Sequence, residues 1–315
     1  MSGMYDLIGD VHGHADELVQ LLETMGYRRE RGAYRHPERT AIFLGDLIDR
    51  GSQIRETLEI VRPMVEDAGA LMVLGNHELN AIAYATEDRR RAGEHLRRRN
   101  VKNTKHHAAT LAQLPPTELT TYLNWFRTQP LWLDLDGLRV VHACWDDRAI
   151  ASLAPALAEA RSITDDFLHA SHGHASQGHT TPLFEPLESV LKGKNIPLPA
   201  GITSRDDHGF VRSQTRIRWY LPAAGHTYRT YAFSDAIDCD LPIDPAHATA
   251  AVPYPASAKP VFIGHFALKG TPELLAPNVA CLDYGMGKGG VLCAYRWQGE
   301  QTLDPGRFVV VKSDV

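Results

Sequence analysis

Five short apolar runs, each ending abruptly in a polar residue, constrain the fold of this chain more than any other sequence feature. Each run has the length of a buried β-strand, and four of the five place a glycine directly before the polar residue. In open α/β sheets, functional sites lie at the carboxyl ends of the strands. The sequence therefore predicts five strands that bring polar side chains to a common edge. The runs span residues 5–10, 40–46, 70–76, 138–142 and 260–265.

Segments with helical periodicity separate the first three runs, which predicts alternating strands and helices. Apolar residues recur along 15–25 and 54–65 at the spacing of one helix face. From about residue 144 to residue 264 this pattern weakens, and the region holds many of the prolines. We interpret residues 1–315 as a single α/β (or α+β) domain that carries a cap-like insertion over residues 145–258.

Three clusters at the ends of the first three runs carry chemically active side chains. Gly-Asp-Val-His-Gly-His at 9–14 offers the carboxylate of Asp10 and the imidazole of His12. Gly-Asp-Leu-Ile-Asp-Arg-Gly at 45–51 offers Asp46, and Gly-Asn-His-Glu at 75–78 offers the amide oxygen of Asn76. Such a mixed set of oxygen and nitrogen ligands suits manganese, iron or zinc. The same clusters also contain Asp49, Arg50 and His77.

In this order, the three clusters resemble those of the calcineurin-like metallophosphoesterases. The Asp-Arg-Gly ending of the second cluster is similar to that of the phosphoprotein-phosphatase (serine/threonine phosphatase-like) branch. The resemblance covers residues 5 to about 80, with weaker matches at 142 and 261–297. It implies a four-layer fold, in which a central β-sandwich of mixed sheets is flanked by helices, with two metal ions at the strand ends. The implied ligands are Asp10, His12 and Asp46 for one ion, and Asp46, Asn76, His142 and His265 for the other.

The resemblance also implies roles for side chains beside the ligands. His77 would be the general acid, backed by Asp49, while Arg50 and Asn76 would contact the phosphate. A second phosphate-binding arginine usually lies between the last two histidine ligands in this family. We choose Arg216, because residues 216–220 alternate like a strand. The other arginines that qualify are Arg205, Arg212 and Arg218.

Two of the implied ligands are less clearly defined by the sequence than the others. His142 is followed by Ala-Cys-Trp, where the family commonly has two glycines. His265 has a rival in His226, which also follows a glycine. We favour His265 because an apolar run precedes it, whereas the Pro-Ala-Ala before Gly225 reads as a loop.

The chemistry of phosphate ester hydrolysis independently requires such a set of residues. Two cations about 3.5–4 Å apart can activate a bridging water and clamp the attacking and leaving oxygens of an in-line displacement. An imidazole that is not a ligand can protonate the leaving oxygen near neutral pH. An arginine fork matches the phosphoryl oxygens. Manganese is the expected metal, and iron, zinc or nickel are alternatives.

The predicted function is a metal-dependent phosphomonoesterase, with phosphoserine and phosphothreonine in proteins as candidate substrates. A dinucleoside polyphosphate is the alternative, because the bacterial enzymes that cut diadenosine tetraphosphate symmetrically also resemble this chain. Those enzymes typically carry a small residue at the position of Asp49, so Asp49 favours phosphomonoesters. An inactive metal-binding scaffold is disfavoured, since a scaffold needs neither His77 nor Arg50.

A basic run at residues 87–105 has eight Lys and Arg against three acids. We interpret it as a solvated helix face, with a collar that attracts phosphorylated substrates as the alternative. It is also the only support for action on nucleic-acid ends or cyclic nucleotides. The formal net charge of −5 excludes a globally basic nucleic-acid binder.

Composition excludes several other classes. Because no stretch of about eighteen apolar residues and no apolar leader is present, we expect a cytoplasmic protein without membrane association. The four cysteines are scattered without a C-x-x-C spacing, which predicts reduced thiols. Residues 285–290 match G-x-G-x-x-G, but the segment that follows reads as a strand, so a hairpin is predicted there instead of a dinucleotide site.

Overall fold

Two mixed β-sheets pack face to face in this computed structural model, which describes residues 3–158, 162–172, 181–205 and 211–312. The predicted α/β fold with a central β-sandwich of mixed sheets is confirmed. The strands are β1 (Met4–Ile8), β2 (Arg28–Glu30), β3 (Ala33–Arg35), β4 (Arg39–Phe43), β5 (Leu71–Met72), β6 (Trp132–Asp134), β7 (Arg139–Val141), β8 (Asn195–Pro197), β9 (Ser204–Arg205), β10 (Val211–Arg212), β11 (Gln214–Arg216), β12 (Val261–Ile263), β13 (Leu274–Ala276), β14 (Val279–Cys281), β15 (Asp283–Tyr284), β16 (Val291–Trp297) and β17 (Phe308–Lys312).

The helices lie mainly between strands. Buried residues recur every three or four positions along the first two, as their sequence periodicity predicts. The helices are α1 (Ala15–Thr24), α2 (Ile54–Asp67), α3 (Asn76–Ala85), α4 (Val101–Gln113), α5 (Pro116–Arg127), α6 (Asp147–Ala158), α7 (Asp165–Ser171), α8 (Phe184–Lys192) and α9 (Tyr228–Tyr231). In the described ranges, no helix combines the length and the apolar character needed to cross a membrane.

The first sheet has the order β15-β16-β1-β4-β5, with β17 paired to β16. Strands β1, β4 and β5 run parallel, so their carboxyl ends share one edge, whereas β16 runs antiparallel to β1. Leu7 marks the register, because it pairs with Ile42 on β4 and with Tyr295 on β16. The crossovers between the parallel strands contain α1 and α2, as βαβ connections require.

The second sheet has the order β13-β14-β12-β7-β6. Its central strands β7 and β12 are parallel neighbours, although a long stretch of chain separates them. That stretch leaves the sheet after β7, forms α6 to α9 and the short strands β8 to β11, and returns at β12. It contains residues 145–258, whose role as a cap stays a prediction.

The sandwich has a core between its sheets and a second core on its outer faces. Leu7 and Ile42 from the first sheet pack with Val140 and Phe262 from the second, and all four are fully buried. Ile8 points to the opposite face of β1, where it belongs to the cluster that includes residues of α1 and α2. Each such side chain contributes roughly 1.5–3 kcal/mol relative to exposure to water. The strand ends that carry polar residues are thus held between two packed layers.

The interpretation of the basic run as a helix face is wrong for most of its length. Helix α3 ends at Ala85 and α4 begins at Val101, so residues 86–100 lie outside both helices. The Asp88 side chain accepts a backbone N–H two residues later, and the Asn100 side chain accepts one three residues later. The Asp88 bond belongs to the non-helical stretch, and the Asn100 bond caps the first turn of α4.

Two further expectations concern the second half of the chain. The predicted strand over residues 216–220 is wrong beyond its first residue, because β11 ends at Arg216. The predicted hairpin at residues 285–290 is confirmed, since this segment joins the antiparallel strands β15 and β16.

Candidate metal centre

The six predicted ligands come together where strand ends of both sheets meet. Asp46 lies at the centre, with its Oδ2 atom 3.4 Å from His142 Nε2 and 3.7 Å from His12 Nε2. Asn76 Oδ1 lies 2.6 Å from His265 Nδ1 and 3.3 Å from His142 Nε2. The first sheet supplies Asp46 and the second sheet supplies His142, so the site exists only where the sheets are packed together.

The glycines before the ligands allow loops to approach each other more closely than side chains permit. A Cβ atom on Gly75 would lie 2.1 Å from Asp46 Oδ1, and one on Gly264 would lie 2.1 Å from Asp10 Oδ1. Asp46 itself has a φ of 51°, in the left-handed region that non-glycine residues rarely adopt. This backbone turn belongs to the local strain that functional sites retain when the surrounding structure holds it in place.

Glu78, which the sequence analysis did not assign, organises the loop that carries Asp46. Its buried carboxylate accepts hydrogen bonds from the backbone N–H groups of Asp46 at 2.9 Å, Leu47 at 2.8 Å and Gly75 at 3.0 Å. Burial, followed by the nearby Asp46 carboxylate, raises the pKa of Glu78. Glu78 stands three residues after Gly75, the cap of α3, where a capping box places its glutamate; Gly75 has no side chain to complete the box, so the sequence signal for Glu78 is partial.

The donor atoms fit a pair of cations. Two groups have ligand atoms within 4.8 Å of one another, and Asp46 belongs to both. Asp10 adds a buried oxygen, Oδ1, that has no hydrogen-bond partner, while its Oδ2 accepts the backbone N–H of His265 at 3.1 Å. Burial, with a further contribution from Asp283, raises the pKa of Asp10 well above its usual value. A buried carboxylate with an unsatisfied oxygen is costly unless a cation lies beside it.

The protonation of the histidines agrees with this assignment in part. Burial lowers the pKa of His12 and of His265 well below the usual value, so both rings are neutral, the form in which imidazole binds metals. Burial also opposes protonation of His142, but the adjacent Asp46 carboxylate raises the pKa of His142 to about 10. A cation bound to Asp46 would displace that proton.

His77 differs from His12 and His142 because its Nδ1 contacts a carboxylate, whereas theirs contact backbone carbonyl oxygens. Its Nδ1 lies 2.6 Å from Asp49 Oδ2, and its Nε2 lies 3.8 Å from Asp46 Oδ2. Proximity alone also groups His77 with the donor atoms of His12 and Asp46. Burial opposes protonation, but the carboxylates of Asp46 and Asp49 together raise the pKa of His77. The arrangement suits an imidazole that carries a proton into the centre.

A cleft of about 880 Å³ opens over these residues and is rich in cations. Besides the ligands it is lined by Asp283, whose carboxylate accepts the backbone N–H groups of Ala267 and Gly285. Three of the cations, Arg97, Lys102 and Lys105, come from the basic run. The full set of cationic residues is Arg50, Arg97, Lys102, Lys105, Lys192, Arg212 and Lys288.

Arg216, predicted to bind phosphate, lines a neighbouring groove and not this cleft. Its Nη1 atom donates to the backbone oxygen of Gly193 at 3.0 Å, because pairing of β11 with β8 turns the side chain that way. Arg212, one of the alternatives, lines both the groove and the cleft. For the last ligand, the structure brings His265 to the centre, whereas His226 contacts Thr230.

Two partners of Asp49 were also missing from the sequence analysis. His107 Nδ1 lies 2.8 Å from Asp49 Oδ1, and Thr110 Oγ1 lies 2.5 Å from the same oxygen. Both belong to α4, far along the chain from Asp49. No spacing or motif in the sequence connects the two segments.

A β-sandwich with a carboxylate shared by two groups of candidate ligands at its strand ends fits a metal-dependent phosphoester hydrolase. This chain belongs to the calcineurin-like phosphoesterase family, whose model matches residues 5–181. The predicted family and enzyme class are thereby confirmed.

Similar proteins include two kinds of bis(5'-nucleosyl)-tetraphosphatase. The asymmetrical one of Halalkalibacterium halodurans is 47% identical over 74 residues, which are 23% of this chain and 30% of that protein. This match thus spans less than a third of that relative. The symmetrical one of Cronobacter sakazakii is 29% identical over 305 residues, 93% of this chain and 90% of that protein. The crystal structure of a cold-active protein-tyrosine phosphatase from a Shewanella species shares the fold, with a TM-score of 0.50, 17% identity, and coverage of 99% of this chain and 81% of that one.

Proposed function

We propose that this chain is a phosphatase that hydrolyses phosphomonoesters, with phosphoserine and phosphothreonine in proteins as candidate substrates. The observation that carries the proposal is the 2.6 Å contact between His77 Nδ1 and Asp49 Oδ2 beside the ligands. An alkyl phosphate needs a proton on its leaving oxygen, and a histidine oriented by a carboxylate is suited to donate it.

The ligands divide into two overlapping sets in this proposal. Asp10, His12 and Asp46 would hold one divalent ion, and Asp46 would share the second with the remaining ligands, Asn76, His142 and His265. When bound, two such ions lower the pKa of water and neutralise the charge of the phosphoryl group. Manganese is the proposed metal, because carboxylate, amide and imidazole ligands are all compatible with it.

The side chains around the centre have separate tasks. Because an ionised Asp49 can only accept, Nδ1 of His77 must carry a proton, and the proton for the leaving oxygen comes from Nε2. Water supplies the new oxygen on phosphorus while the ester P–O bond breaks. Arg50 lines the cleft and is proposed to hold the phosphoryl oxygens, since a guanidinium matches their geometry and charge. Among the candidate arginines, Arg212 is the better placed to assist it.

A dinucleoside polyphosphate is the second candidate substrate. The cationic side chains that line the cleft favour it, because they outnumber those that a single phosphate requires. Lys102, Lys105 and Lys288 are among them. Similarity to the symmetrical bis(5'-nucleosyl)-tetraphosphatase of Cronobacter sakazakii over nearly the whole chain supports it as well.

A substrate panel tests the proposal. With manganese(II), the purified chain should hydrolyse a phosphoserine peptide with a higher kcat/KM than diadenosine tetraphosphate or a cyclic nucleotide. Asp46→Asn should reduce turnover below detection, because the amide lacks the charge and the second oxygen with which the carboxylate would be shared by both ions, while circular dichroism stays unchanged. Asp235→Asn, at an exposed position, is the matched control and should retain full activity. Preference for the tetraphosphate would select the second candidate, and no hydrolysis of any of the three would refute the proposal.

A further inference from the structure

Asp49 is held by a helix that lies outside the three motif clusters. Its Oδ2 accepts the Nδ1 proton of His77 at 2.6 Å, while its Oδ1 accepts from His107 Nδ1 at 2.8 Å and from Thr110 Oγ1 at 2.5 Å. The backbone N–H of Asp49 donates to Thr110 Oγ1 at 3.1 Å. His107 and Thr110 stand three residues apart and therefore share one face of α4.

Asp49 and its two partners on α4 are removed from solvent. Asp49 is 3% exposed, His107 is 5% exposed and Thr110 is fully buried. Burial tends to raise the pKa of Asp49, but the hydrogen bonds from His107 and then His77 lower it below its usual range. The carboxylate therefore stays ionised, and each donor that it loses leaves a buried oxygen unsatisfied.

The backbone of Asp49 also depends on Thr110. Asp49 has a φ of 66°, a left-handed conformation that costs energy in a residue with a side chain. The hydroxyl of Thr110 contacts both the backbone N–H and the carboxylate of Asp49. It thus fixes the residue at two points, whereas the terminal torsion of an aspartate is otherwise soft.

We propose that Thr110 and His107 are positioning residues for the hydrolysis. They hold the Asp49 carboxylate so that Oδ2 faces His77 Nδ1, and this contact directs His77 Nε2 toward Asp46. The inference rests on the proposed role of His77 as the acid. Neither Thr110 nor His107 lines the cation-rich cleft, so both act through Asp49.

Removal of a single hydroxyl tests the proposal. Thr110→Val keeps the shape but loses the contact, and should lower kcat for an alkyl phosphate by roughly 10- to 100-fold, within the range of a displaced general acid. An aryl phosphate with a good leaving group should be affected far less, because its leaving oxygen needs no proton. Thr110→Ser should restore the alkyl activity. The matched control is Thr57→Val, at a fully buried helical threonine whose hydroxyl donates to the Gln53 backbone oxygen.

A spectroscopic measurement on the metal-free protein provides a second readout. The Nδ1 proton of His77 lies in a 2.6 Å hydrogen bond and should give a low-field NMR signal, assigned by its loss in His77→Asn. That signal should move upfield in Thr110→Val and stay in place in Thr57→Val. If Thr110→Val does not fold, His107→Asn, which retains a donor near the position of Nδ1, and His107→Leu allow the same comparison.

Two further outcomes distinguish this inference from the proposed function. Equal losses of kcat for the alkyl and aryl phosphates, with an unmoved His77 signal, would overturn this inference and leave the proposed function intact. Failure of the unmodified chain to hydrolyse either phosphate would overturn the proposed function and this inference together.

Discussion

The two ring nitrogens of His77 have different surroundings, with Nδ1 hydrogen-bonded to a carboxylate and Nε2 facing the cluster of candidate metal ligands. Its Nδ1 contacts Asp49, and its Nε2 lies 3.8 Å from Asp46 Oδ2, the oxygen around which the metal ligands gather. Carboxylates orient metal-ligating histidines as well as catalytic ones, and the donor atoms of His77 also lie close to those of His12 and Asp46. The proposed role of His77 as an acid is therefore distinguished from a ligand role by experiment.

Replacement of His77 by asparagine tests that distinction. His77→Asn removes the proton donor, and we expect kcat to fall by about 10²–10⁴-fold for an alkyl phosphate and much less for 4-nitrophenyl phosphate. Steady-state kinetics with both substrates measures the split. The metal content of the variant should equal that of the unmodified protein. A loss of bound metal would instead identify His77 as a ligand.

Single residues differed in how well the sequence could predict them. Asp46 and Asn76 were predictable because each ends an apolar run directly after a glycine, and the close approach at Gly75 explains that glycine. Thr110 was not predictable, since its contact with Asp49 depends on how α4 packs. Arg216 stays a prediction as a phosphate ligand; its side chain donates to the Gly193 backbone oxygen beside a neighbouring groove, a direction that alternation alone does not reveal.

Among the elements, α4 has two roles. Its inner face holds Asp49 through His107 and Thr110, and its other residues at the cleft include Lys102 and Lys105. The sequence predicted a continuous basic helix here, and the structure instead ends α3 early and begins α4 only at Val101. The helices α1 and α2 were predictable because their burial follows a simple period, whereas local caps decide where α4 begins.

The two lysines of α4 should determine how strongly substrates with many charges bind. In the double variant Lys102→Gln and Lys105→Gln, we expect KM for diadenosine tetraphosphate to rise roughly two- to fivefold per lysine, as for partly exposed ion pairs. KM for a small phosphomonoester should change less, and added salt should reduce the difference. The control is Lys312→Gln, at an exposed position on β17. An equal rise for both substrates would contradict this role.

At the scale of the whole molecule, the proposed metal ligands come from both sheets. The first sheet and its loops carry Asp10, His12, Asp46 and Asn76, and the second carries His142 and His265. Metal that binds this set binds only the folded chain. Binding should therefore stabilise the fold as a unit and not one sheet alone.

Thermal unfolding should show this stabilisation. At a metal concentration of a hundred times Kd, one site contributes about 2.7 kcal/mol, so manganese should raise Tm and a chelator should lower it again. Asp46→Asn should remove most of the increase, since the amide lacks the charge and the second oxygen of the shared carboxylate. Asp235→Asn should keep it. A Tm that does not respond to metal in the unmodified protein would argue against a metal centre.

The position of β1 has a consequence for how the protein matures on the ribosome. This strand lies between β4, which soon follows it in synthesis, and β16, which is made more than 250 residues later. A nascent chain has therefore made Asp10, Asp46 and Asn76 long before β16 can flank the first strand or His265 can arrive. Prematurely terminated products that stop before His265 would lack a proposed ligand and a completed sheet, and we expect them to be inactive.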